Sequence, residues 1–265
     1  MKLAISASLN YRLGDPVDLM LQIEAAALPD QRVIRASLDV GRPEHFARQP
    51  AQDGIGERVW LRAGGMLHAR YSALVEVDRP AVDVRTLPAV PLHRLPADAV
   101  AYLNESRYCP SNKFHAFVDR RFGDGEGGEK IARMRDWIES RFTYVAGTST
   151  AETGALDSFV ERRGVCRDYA HVLIALARAA HIPARMASAY APDVSPQDFH
   201  AVAEVFLDGG WHPLDATGMS RGSEIARICV GRDAADVSFL TAYRDIGFVD
   251  QTVKVERVKG IEPSS

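Results

Sequence analysis

Cysteine is scarce in this chain, with three among 265 residues: Cys109, Cys166 and Cys229. A sparse, odd set excludes a disulfide framework and points to a reducing compartment, the cytoplasm. An excess of charge of one sign is also lacking. Lys and Arg number 32 and Asp and Glu 35, a formal net charge of −3, so neither nucleic acid nor an anionic membrane is an expected partner. No apolar run reaches membrane-spanning length, and no internal repeat or low-complexity segment stands out. "GDGEGGE", from Gly123 to Glu129, lacks the lysine and the serine or threonine of a phosphate-binding loop. No acidic run has calcium-loop spacing, so neither a metal nor another cofactor is expected.

A hydrophobic share of 46% and a charged share of 25% are those of a globular protein with a full core. The opening "MKLAISASLNYRLGDPVDLM" is interrupted by Asn10, Tyr11, Arg12 and Asp15 and reads as a first strand, not a secretion signal. "PVDLMLQIEAA" places Val17, Leu19, Leu21 and Ile23 on one face at period two. "HARYSALVEVDR" does the same with Ala69, Tyr71, Ala73, Val75 and Val77. Pro88, Pro91 and Pro96 then mark an extended connection. The expected division is an N-terminal all-β, sandwich-like unit over residues 1–100 and an α+β unit over residues 101–265. In the second, "GEKIARMRDWIESRF" has Ile131, Met134, Trp137 and Ile138 at helical spacing, and "TGALDSFVERR" is a further amphipathic helix. Strands follow Pro183, including "HAVAEVFLDGGWHPLDAT", "EIARICVGRD" and "FVDQTVKVERV", with a hairpin at "DGG".

Between these lies "ERRGVCRDYAHVLIALARAAHIPARM". From Tyr169 to Ala180 it is apolar nearly all round and predicts a buried helix, ended by Ile182-Pro183. Gly164 allows a tight entry. Cys166 then falls in the first turn, where free backbone N–H groups and the positive end of the helix dipole favour an anion. Arg163 and Arg167 add positive charge. Together these push a thiol towards thiolate. Taken alone, Cys166 reads equally well as a small buried hydrophobe.

A cysteine nucleophile needs an imidazole, and the imidazole an orienting acceptor. His45, His68 and His93 lie far back in the chain, His115 and His181 lack a usefully placed acid, and His171 points to another face of the cysteine's own helix. His200 opens the strand "HAVAEVF", and Asp215 lies on the returning strand. A loop of two or four residues at "DGG" sends both side chains to one face, and a loop of three to opposite faces. In a mirror register Asp215 opposes Glu204, about 13 Å from His200 at about 3.3 Å per residue, so a bulge or bend near Pro213 is required. Asp168 stabilises the helix start in this reading, and Tyr144, Trp137, Cys109 and Cys229 are packing residues.

"GVCRDYAH", "HIPARMASAY", "FHAVAEVFLDGGWHPLDATG" and "RICVGRDAADVSF" resemble, in order, the blocks of the transglutaminase-like superfamily, in its bacterial branch of papain-type fold. "AYLNESRYCPSN" and the strand-rich first hundred residues look like the β-domain that accompanies that branch. The resemblance implies Cys166 as nucleophile, His200 as general base and acid, and Asp215 as the group holding the imidazole. It implies a thioester formed on a glutamine, peptide or isopeptide amide of a protein or peptide substrate. Hydrolysis, as a protease or amidase, is favoured because water needs no second binding site. Amine transfer (cross-linking) and a catalytically silent binding or scaffold module of the same fold are the alternatives. The tryptophan that donates to the oxyanion in the calcium-dependent animal enzymes has no counterpart in "STAETGALDSF", so that donor is unassigned.

Overall fold

Alternation of apolar and polar residues builds the first sheet. The structure, a computed structural model, describes residues 1–258. Strand β1 (Lys2–Leu21) buries Leu3, Ile5, Ala7 and Leu9, then Val17, Leu19 and Leu21. After β2 (Gln31–Asp39) and β3 (His45–Pro50), β4 (Glu57–Val77) buries Leu67, Ala69, Tyr71, Val75 and Val77 in the same way. β1 and β4 form one long antiparallel ribbon whose register shifts between Arg12 and Val17. Gly14 and Gly65 face each other there at φ of 68° and 71°, a backbone region that costs glycine little. β2 and β3 line the outer edge of β4.

Helical spacing takes over next. After the single turn α1 (Ala97–Val100) and α2 (His115–Phe122), α3 (Gly127–Arg141) buries Ile131, Met134 and Ile138. Its Trp137 packs on Phe117, Phe142 and Phe159. Two-residue strands β5 (Thr143–Tyr144) and β6 (Arg163–Gly164) pair in parallel around α4 (Ala155–Glu161). α5 (Cys166–Ala179) follows directly, and every residue from Asp168 to Ala179 is buried. It packs on a second antiparallel sheet, ordered β10-β7-β8-β9, of β7 (Ala184–Tyr190), β8 (His200–Leu207), β9 (Gly210–Leu214) and β10 (Ala226–Gly231). The fold is therefore α+β. No helix among the described residues is long and apolar enough to cross a membrane.

Two features differ from the sequence expectation. The strand expected at Phe248–Val258 forms, within β12 (Gly247–Val258), but it pairs with β1, as does β11 (Leu240–Ala242). Its apolar pair, Val253 and Val255, joins the core beside the β1 residues. The six strands from the two ends of the chain thus make one sheet. The β8–β9 hairpin also closes tighter than a mirror register about Gly209-Gly210. Leu207 faces Gly210 and Ala203 faces Leu214. The two-residue loop, Asp208-Gly209, has φ of 49° and 78°, the paired positive values of a tight hairpin turn. Continued one step past β9, this register sets Asp215 opposite Val202 rather than Glu204, a diagonal neighbour of His200 at about 7–8 Å or less. No bulge is needed.

Buried charge joins the two sheets. Glu204 of β8 is fully buried and accepts from Arg185 of β7 (2.8 Å) and Arg227 of β10 (3.0 Å). Arg185 continues to Asp53 (2.9 Å), while Arg227 and Arg79 both reach Asp30 at 2.6 Å. Removing one member of such a set leaves the others desolvated and unpaired. Glu204→Ala is expected to cost about 3–5 kcal/mol in urea unfolding. A loss below about 1 kcal/mol would show that the network contributes little.

Candidate active site

The start of α5 is built by one carboxylate. Asp168, at the third helical position, accepts from the Val165 backbone N–H at 2.8 Å and from the Ser149 hydroxyl. This is the reaching-back half of a capping box. It also explains Gly164, whose φ is 156°: a Cβ there would lie 2.5 Å from the Asp168 carboxylate and 2.7 Å from its Cβ. Arg167 is turned towards Asp168 and the Thr150 carbonyl (2.9 Å). Cys166 is left as the first helical residue, half-buried, unpaired with any other cysteine, and at the end of the helix that favours negative charge.

His200 begins β8 and is buried. Its Nε2–H donates to Asp215 Oδ2 at 2.8 Å. Asp215 also accepts from the Thr217 N–H (2.8 Å) and hydroxyl (2.6 Å) and from the Ser220 N–H (2.9 Å) and hydroxyl (2.8 Å). Burial alone would raise its pKa, but His200 and Thr217 outweigh it and hold the carboxyl below its usual range. For His200, burial opposes the charged ring. The Asp215 bond and the neighbouring Cys166 sulfur outweigh that and raise the ring to about 10. Its Nδ1 is buried and has no hydrogen-bond partner among the described residues. Thr217 and Ser220 were not singled out in the sequence; "DATG" signals a turn, and only the fold reveals that the turn's acceptor is also the histidine's.

Cys166 and His200 line one cavity of about 520 Å³. Tyr144, expected to be a packing residue, lines it too. Its backbone is placed by the β5–β6 pair, in which Tyr144 lies beside Gly164 and the Val145 N–H donates to Gly164 O at 3.0 Å. Burial and the adjacent Cys166 sulfur push its phenol pKa up, against an opposing pull from the Cys166 backbone N–H, so the hydroxyl stays protonated beside both groups. Trp211 lines a different cavity and packs on Tyr102 and Phe206 with Arg185 4.0 Å above it. Cys109 and Cys229 are fully buried, and burial pushes each thiol up to about 12. His171 is buried within α5, stacks on Tyr108 and accepts from the Ala234 N–H at 3.2 Å. Among the described residues no group of three His, Cys, Asp or Glu is placed to hold a metal ion.

The raised His200 makes a pH prediction. A ring at about 10 when folded and about 6.5 when unfolded binds its proton more tightly in the folded state. Its contribution to stability is complete below about pH 6.5 and is lost as pH climbs through about 10. Urea unfolding is expected to give a free energy that falls across that window, with a shallower fall in Asp215→Asn. Equal slopes in the two proteins would contradict the coupling.

A model of the transglutaminase-like superfamily matches residues 116–216, a span that includes Cys166, His200 and Asp215. The structure of a candidate cysteine protease from Cytophaga hutchinsonii superimposes with a TM-score of 0.93 and 31% identity, covering 99% of this chain and 92% of that one. The periplasmic domain of TgpA from Pseudomonas aeruginosa is a remote likeness, with a TM-score of 0.44 and 17% identity over 80% of this chain and 75% of that one. An uncharacterised Mycobacterium leprae protein is 28% identical over 165 residues, 58% of this chain and 59% of the relative's length. Full-length agreement with the Cytophaga protein in fold and sequence, together with the family match across the site, makes the chain a member of the transglutaminase-like superfamily, in its bacterial branch.

Proposed function

We propose that the protein is a cysteine-dependent amide hydrolase acting on protein or peptide substrates through Cys166, His200 and Asp215. The observation that carries this reading is the buried His200–Asp215 pair, joined at 2.8 Å, beside the cavity that Cys166 lines at the head of α5. In the proposed reaction the Cys166 thiolate attacks the amide carbonyl carbon and a C–S bond forms. The carbonyl oxygen takes the negative charge. The Cys166 backbone N–H and the Tyr144 hydroxyl are the donors we assign to it, which fills the place left open in the sequence. The tetrahedral species collapses, the C–N bond breaks, and the departing amine takes a proton from the His200 imidazolium. Water, giving a proton to His200, then cleaves the thioester. Asp215 orients the ring and stabilises its charge without itself accepting the proton.

Hydrolysis is preferred to amine transfer because water requires no second binding site. The three unpaired thiols suit a reducing compartment, and we place the protein in the cytoplasm.

The test begins with iodoacetamide. Cys166 is expected to be labelled much faster than Cys109 or Cys229, whose buried thiols are pushed up to about 12. Cys166→Ala should abolish turnover of a glutamine peptide. Tyr144→Phe should lower kcat by about 10²–10³ with KM little changed. Ammonia or cleavage products without uptake of a fluorescent primary amine identify the hydrolase; amine uptake identifies the transferase instead. Turnover undiminished in Cys166→Ala would end the enzymatic assignment.

A further inference from the structure

The segment that leads into β11 of the first sheet reaches the Cys166 cavity. Part of the cavity wall is Ala234, Val237, Ser238 and Phe239, in the segment that leads from β10 back to β11. Gln22, the residue after β1, is fully buried and grips this segment from the other sheet. Its backbone N–H donates to Phe239 O at 3.0 Å, and its side-chain Nε2 donates to Asp236 O (3.0 Å) and Ser238 O (3.2 Å). The amide oxygen Oε1 is buried without a partner, so the side chain acts here as a donor alone.

An aromatic stack makes a second connection. Phe239 lies flat on Phe199, with centroids 4.7 Å apart and planes at 8°, and Phe199 packs on Tyr190 at 5.6 Å. Tyr190 stacks on Tyr71 of β4 at 6.1 Å and donates its hydroxyl to Ile23 O at 2.6 Å. Phe199 directly precedes His200. The geometry of the first sheet is thereby transmitted to the residues around the candidate nucleophile.

The wall so placed is apolar. Met186, Phe199, Ala201, Val237 and Phe239 line it. Of the charged groups at its rim, Arg167 is held by Asp168 and Thr150 O, while exposed Asp198 accepts from the Phe199 N–H and Gln251 through Oδ1 alone. A charged substrate side chain laid against these apolar residues would lose water without a partner among them, whereas an aromatic or large aliphatic one would exchange water for apolar contact.

We propose that the first sheet, acting through Gln22 as a positioning residue, shapes an apolar subsite beside Cys166 that selects substrates with an aromatic or large aliphatic side chain next to the reacting carbonyl. This rests on Cys166 being the nucleophile. The probes are three peptidyl acyloxymethyl ketones that differ only in carrying Phe, Lys or Glu at the reactive carbonyl. In each, sulfur displaces the carboxylate leaving group and a C–S bond forms. Iodoacetamide, too small to fill a subsite, reports the thiol alone, and labelling of the full chain is followed by intact mass.

The Phe reagent should label Cys166 at least about tenfold faster than the Lys or Glu reagent. Gln22→Met, close in size and without the donor, should cut that preference to about threefold or less while the iodoacetamide rate stays within about twofold. Phe239→Ala should cut it as well. If Gln22→Met does not fold, Tyr190→Phe, which removes only the hydroxyl tie to Ile23, must lower the preference instead. A wild-type protein that labels equally with all three reagents while reacting readily with iodoacetamide overturns the subsite and leaves the nucleophile standing. Full selectivity in the folded Gln22 or Tyr190 variant overturns the role of the first sheet. Silence towards iodoacetamide overturns the nucleophile and the subsite together.

Discussion

A carboxylate removed from water has to be surrounded by donors, and the rest of the site depends on how Asp215 meets that condition. Five donors converge on it: the His200 ring, and an N–H and a hydroxyl each from Thr217 and Ser220. Four of the five come from the turn that follows β9, so most of what holds the acceptor is its own local chain. A buried imidazole left alone would give up its proton. Beside this anchored acceptor, and with the Cys166 sulfur adjacent, it is held charged instead. The same bond fixes which nitrogen remains to face the cavity, since Nε2 is committed to Asp215.

The sulfur is placed by a separate device that follows the same logic. Asp168 satisfies the N–H of Val165 at the head of α5, and Gly164 is the residue whose missing side chain leaves room for it. Two buried carboxylates, one on each side of the cavity's chemistry, therefore set the two partners independently. One fixes where a helix begins and the other which way a ring points. The Glu204 network sits between β7, β8 and β10 and ties that sheet to Asp30 and Asp53 from the first hundred residues, so the strand carrying His200 is braced from the other sheet.

Much of this was legible in the chain. Period-two runs located β1 and β4, helical spacing located α3, a run apolar nearly all round located α5, and Ile182-Pro183 marked where α5 stops. The sequence singles out a cysteine at a helix head, a strand-leading histidine and an aspartate expected on the return strand; the structure sets that aspartate one residue past β9, bonded to the histidine. What escaped was pairing between distant segments. β12 reads locally as a strand, but nothing in its pattern names β1 as its neighbour. Tyr144 lies 22 positions before Cys166 and reaches it only because β5 lies beside β6. Gln22 meets Asp236 across more than 200 residues. The hairpin was misplaced for a smaller reason. "DGG" allows a turn at Asp208-Gly209 or Gly209-Gly210, and aspartate's tolerance of positive φ admits the first. Glu204, Arg185 and Arg227 carry the polarity of exposed strand residues, and their burial depends on one another's presence.

Asp215 and Cys166 together hold the His200 ring charged at neutral pH. Nitrogen-15 NMR of histidine-labelled protein reads that charge. His200 is expected to carry protons on both ring nitrogens at pH 8, where free histidine is neutral, and to lose one of them in Asp215→Asn. A wild-type His200 titrating near about 6.5, as in an unstructured peptide, would contradict it.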